Sequence, residues 1–138
     1  MKFLLTLLSF LTINLTGQKL IVKCDTMYKI SYSQMTTFGD AIESRNYEVL
    51  KYSEFEKEII INFKTKKVKY GYKTFKIVEV LEPEVGIFHI LKLKRRGTEY
   101  DLFIGDNCLG GLLLILRYFE EADIICRYFP SVQLSETK

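Results

Sequence analysis

The chain has no tryptophan, one histidine (His89), three cysteines and two prolines in 138 residues. Each shortage removes a class of chemistry. A single histidine cannot build a histidine-rich metal centre, and Cys24, Cys108 and Cys126 are too scattered for the close ligand spacing of a zinc site. No Gly-x-x-x-x-Gly-Lys-Ser/Thr pattern is present, so there is no phosphate-cradling loop of that kind. No apolar run reaches the roughly 20 residues that span a bilayer as a helix. Charge of one sign is also lacking: 20 basic and 17 acidic residues leave a formal net charge of +3. That balance is too mild to argue for nucleic acid on its own, and none is expected as a partner. No repeat, low-complexity tract or interdomain linker interrupts the chain. Neither a cofactor nor a metal is expected.

What is present is apolar and aromatic. Hydrophobic residues make up 48%, and ten Phe with nine Tyr supply all the aromatics. Disorder needs the opposite composition, and a chain of this length can bury a core in one domain. Phe, Tyr, Ile, Val and Thr favour strands.

The first residues have the layout of an address. Met1-Lys2 is followed by the apolar run Phe3 to Ile13, with Gly17 as a small residue for cleavage. Residues 1–17 are therefore expected to be a secretory signal peptide. The mature protein would be secreted or periplasmic, meeting a membrane only transiently through that leader. Export permits disulfides. An odd cysteine count allows at most one internal bridge. If the first strand of a closed barrel pairs with the last, Cys24 approaches Cys126, and these two are the candidate bridge. The plainer reading is three buried, unreacted thiols.

Residues 18–130 read as a single antiparallel β domain, with 131–138 as a polar, flexible tail. Tyr72–Leu81, Ile87–Arg96 and Glu99–Ile104 are expected strands, joined by Glu82–Gly86 and by a type II′ turn at Gly97-Thr98. Closing on that turn sets Lys94 opposite Asp101 and Leu93 opposite Leu102. In the preceding hairpin, Leu81 pairs with Ile87, which sets Glu79 opposite His89. Upstream, Ile59, Ile61 and Phe63 alternate, as do Leu20, Val22 and Cys24. Leu112–Phe119 and Ile124–Phe129 complete a set of roughly eight or nine strands. The alternative is an α+β fold with a helix over 112–122, because a continuous apolar run is compatible with either element. The fold class is all-β, a meander closing as a small barrel or sandwich. In layout this resembles small lipocalin-like barrels. The Gly-x-Trp signature of that family is missing, so the resemblance assigns no residue here.

Four features bear on function. Glu79 facing His89 would orient a general base for a small hydrolase or isomerase, or would be a hydrogen-bonded polar pair near the core. Cys108, among the glycines of 105–111, reads as turn chemistry. Lys76, Lys92, Lys94 and Arg96 form a basic outer surface, most simply a solvated face. Phe75, Ile77, Leu91, Leu93 and Tyr100 fall on the inner face, as ligand-lining residues or as core. The leading expectation is a non-enzymatic binding module for a small apolar ligand or a protein partner. The others are the His89/Glu79 enzyme and a structural or interaction protein that uses exposed sheet edges.

Overall fold

The computed structural model describes residues 19–54 and 57–137. The leader expected over 1–17 lies outside them. The strands are β1 (Lys19–Cys24), β2 (Met27–Ser33), β3 (Glu48–Ser53), β4 (Lys57–Asn62), β5 (Lys67–Tyr70), β6 (Lys73–Leu81), β7 (Ile87–Arg95), β8 (Thr98–Asp106), β9 (Leu112–Glu120) and β10 (Asp123–Thr137). One helix, α1 (Phe38–Ser44), lies between β2 and β3. Neighbouring strands are antiparallel, in the order β1-β4-β5-β6-β7-β8-β9-β10-β2-β3, and β1 also pairs with β10. That last pairing closes an eight-stranded barrel.

The closing geometry comes from long strands. β10 pairs with β1 over its C-terminal half (Cys24 opposite Val132) and with β2 over its N-terminal half (Tyr28 opposite Tyr128). Moving four residues on from Cys24 to Tyr28 moves four residues back from Val132 to Tyr128, so β1 and β2 act as one strand with a local break. The break reverses which face points inward: Cys24 and Met27 both enter the interior core, and so do Val132 and Phe129 across from them.

Eight strands leave an interior just wide enough for side chains to fill. Leu20, Val22, Ile59, Ile61, Val68, Phe75, Leu91, Leu102, Leu114 and Phe129 fill it, each essentially inaccessible to solvent. A second cluster lies outside the wall. There α1 sets Ala41 against Ile30, Tyr32, Ile115, Ile124 and Cys126. The side chain of Thr37 caps α1, accepting from the Asp40 amide at 3.1 Å, and Arg45 ends it in the left-handed conformation.

Several sequence expectations are corrected. Residues 112–120 are strand, so the helix over 112–122 is absent. The run is continuously apolar because both faces are covered, Leu114 and Leu116 by the interior and Leu113 and Ile115 by the α1 layer. Residues 131–137 are not a loose tail but the half of β10 that closes the barrel against β1. The hairpin after β7 turns at Arg96-Gly97, both with positive φ (52° and 81°), which is the type I′ geometry. Its pairs are Lys94 with Glu99, Lys92 with Asp101 and Leu91 with Leu102. The expected register was displaced by two residues, a slip that leaves every side chain on its expected face.

Candidate functional site

The structure separates Glu79 from His89. A register shift between Ile77 and Glu79 sets Glu79 opposite Lys92, and His89 lies opposite Ile104. The cause lies in the connection between the strands. Glu84 and Ile87 bond to each other there, so Leu81 pairs with Ile90 rather than Ile87. Glu79 is exposed on the outer wall. His89 sits against the Phe63 ring at 6.5 Å, and burial holds its pKa below the ordinary histidine value. A general-base pair is not assembled.

The cysteines are also apart. Cys24 lies in the interior core and Cys126 in the outer cluster, where it faces Ile30 and Arg117. Both are free thiols, on opposite sides of one wall. Cys108 is exposed in a loop held by two side chains: Asp106 accepts from the Cys108 amide at 2.8 Å, and Asn107 accepts from Leu109 and Gly111. Among the described residues, no group of three or more His, Cys, Asp or Glu converges as a metal site.

Phe75, Ile77, Leu91 and Leu93 are interior residues with at most 4% exposure, packed against one another. Tyr100 closes over Phe75, edge to face, at 4.9 Å. These are core, with Tyr100 at one end. The basic residues of the outer wall are partly neutralised. Lys92 bonds Asp101 at 2.7 Å, Arg117 reaches the same carboxylate at 3.3 Å, and Lys94 lies opposite Glu99. Lys76 lies between Lys67 and Lys94, and Arg96 is in the turn.

One concave surface was passed over by the sequence reading. On the outer wall, Tyr28, Tyr128, Tyr52, Tyr47, Val49 and Ile42 border a groove of about 490 Å³. Strand periodicity builds it: Tyr28 and Ile30 are outward positions on β2, Tyr128 is directly across on β10, and Tyr52 is directly across on β3. Tyr28 stands 4.9 Å from the Tyr52 ring and 6.3 Å from the Tyr128 ring. Phe38, on α1, meets Tyr128 edge-on at 5.0 Å and supports the floor. Burial and the neighbouring Tyr28 push the Tyr128 phenol above its usual pKa, so it remains a neutral donor at physiological pH. Tyr52 and Val49 are about half exposed on the rim. The alternation of Tyr28, Ile30 and Tyr32 was the available signal. It was missed because an outward apolar stripe has meaning only once α1 and β3 are seen beside it.

Compared with protein-family models, curated proteins and solved structures, the chain finds no match.

Proposed function

We propose that the domain is a non-enzymatic, exported binding module, and that it takes up a small apolar or aromatic ligand in the tyrosine groove of its outer wall. The observation that carries this reading is the groove itself. Its volume lies in the range of small-molecule sites. Its walls are rings that offer large contact area at little entropic cost, with phenol hydroxyls to fix orientation. The packed interior favours the groove over the lipocalin-like alternative of a ligand inside the barrel. Export rests on the leader-like residues 1–17.

Titration of the full chain with Nile red, a neutral apolar fluorophore, tests the site. A saturable emission increase is expected, weakened several-fold by Tyr52→Ala and by Tyr128→Ala. Tyr52 is on the rim, so its variant folds normally. Unchanged uptake in both variants would refute the groove. Intact mass after expression with the native leader tests export, with residues 1–17 expected to be lost.

A second reading has its own observation. Among the described strands β3 pairs only with β2, so its other edge, exposed over Glu48 to Tyr52, is one to which a partner strand can add. A stable complex in native mass spectrometry, with no Nile red uptake, would favour it.

A further inference from the structure

One end of the barrel carries a ring of cations on its inner face. Inward alternation continues past the core on almost every strand. Lys57 precedes Ile59 and Ile61 on β4, Tyr70 follows Val68 on β5, and Lys73 precedes Phe75 on β6. Arg95 follows Leu93 on β7, and Arg127 precedes Phe129 on β10. From Arg127 the row continues sideways to Lys29 on β2 and then to Lys51 on β3, each directly across from the last. Tyr100 and Tyr118 stand between the arginines, with their rings 5.2 Å apart.

Among the described residues no ion pair joins these charges to an acid, and Asp25, after Cys24 at the same end of β1, is exposed. The ion pairs among the described residues, Lys92–Asp101 and Arg117–Asp101, are both on the outer wall. Arg127 and Lys57 instead rest over the Tyr70 ring at 5.8 and 5.7 Å, and Arg95 over the Phe75 ring at 5.9 Å. Three acids among the described residues share this inward alternation: Glu48, directly across from Ser31 and so two residues along β2 from Lys29, and Glu120 and Asp123, which face each other at the tip of the β9–β10 hairpin. Asp123 is four residues, about 13 Å of strand, beyond Arg127. Lys73 lies below the ordinary lysine pKa, first through burial and then through the charges of Arg127, Arg95, Lys29 and Lys51.

Like charges directly across a ladder are destabilising, and cation–π contacts offset only part of that. A row such as Lys51–Lys29–Arg127 therefore opposes folding, and a bound anion would relieve it. The filled interior below, capped by Phe75 and Leu93, leaves no room for a long apolar tail. The occupant is therefore compact and carries more than one negative charge.

We propose that this mouth binds a small multivalent oxyanion, a phosphate or sulfate group, held by Arg127, Arg95 and Lys73 with the phenols of Tyr70 and Tyr118 beside it. The arginine forks match two oxygens at once, and lysine supplies a point charge. The site is on the opposite face of the wall from the tyrosine groove and does not depend on it.

The test is calorimetric titration of the full chain with inorganic pyrophosphate and with inorganic sulfate, at matched ionic strength in chloride buffer. Saturable binding of at least one is expected, weakened at least tenfold by Arg127→Gln and by Lys73→Gln. Lys76→Gln with Lys94→Gln, on the outer wall, is expected to leave it unchanged. Melting of the unliganded protein supplies a second readout. Relief of repulsion should raise the midpoint of Lys73→Gln above wild type, whereas a purely structural lysine would lower it. Absence of binding to either anion, or an equal loss in the outer-wall variant, would overturn the site.

Discussion

At Cys24, Cys126 and Cys108 one functional group meets three surroundings, and reactivity follows the surroundings. Burial pushes the first two thiols up to about 12, with Asp25 adding to the effect at Cys24. Thiolate is the nucleophile, so neither should react while the barrel is closed. Cys108 is exposed in its loop. Aromatic-disulfide labelling should therefore count one thiol in the native protein and three in denaturant, and Cys108→Ser should reduce the native count to zero. His89 gives the complementary pH test. Burial lowers its folded pKa below the unfolded value of about 6.5. The unfolded chain therefore takes up this proton first as pH falls, and stability rises with pH across that window. The contribution is complete above the unfolded value and is lost as pH drops toward the folded one. Between about pH 7.5 and 5.5 the melting midpoint of wild type should fall more steeply than that of His89→Leu. Equal slopes would show that His89 is solvated. The burial of His89 was legible from its inward place in an alternating strand. Its partner was not, because that depended on how the connection between Leu81 and Ile87 closes, which residue type did not signal.

Among the elements, the β7–β8 hairpin shows what alternation determines and what it leaves open. Period two assigns faces, so Leu91, Leu93 and Leu102 were correctly read as inward. Register is a separate quantity, settled by the turn. Gly97-Thr98 and Arg96-Gly97 are two-residue turns that differ by a slip preserving both faces. The second places Lys92 on Asp101 and brings Arg117 to the same carboxylate. Its cost is an arginine held at a φ of 52°. Asparagine tolerates that conformation far better. Arg96→Asn should therefore stabilise the protein by roughly 0.5–1 kcal/mol, seen as a higher denaturant midpoint at constant slope. A destabilising outcome would mean that the Arg96 side chain contributes more than its backbone costs. The groove and the cationic mouth were illegible for a related reason. Each gathers residues far apart in the chain, and only cross-strand register brings Tyr28, Tyr52 and Tyr128, or Lys29, Lys51 and Arg127, into one row.

For the whole molecule the decisive element is the one read as a tail. Ser131 to Ser135 looks polar, yet Val132 and Leu134 alternate within it and both contribute to the interior. A strand that closes a barrel needs only one apolar face, and in a short segment at the chain end two apolar residues are easily overlooked. Mechanically they matter more than their number suggests. β10 bonds β9, β1 and β2, so among the described strands it is the one that ladders the last hairpin to the N-terminal strands. Ending the chain after Pro130 would leave β1 paired only with β4 and expose Leu20 and Val22 along an open edge. Partial loss of stability is then not the expected outcome, because an open sheet of this curvature has no second layer over most of its inner face. The truncated chain should show no cooperative melt by circular dichroism and should bind hydrophobic dye without saturation. Phe129→Ala, which keeps closure but empties a fully buried position against Tyr70, should still melt cooperatively, about 3–5 kcal/mol less stable. A cooperative transition in the truncation, comparable to that of Phe129→Ala, would mean that the sheet holds its core without being closed.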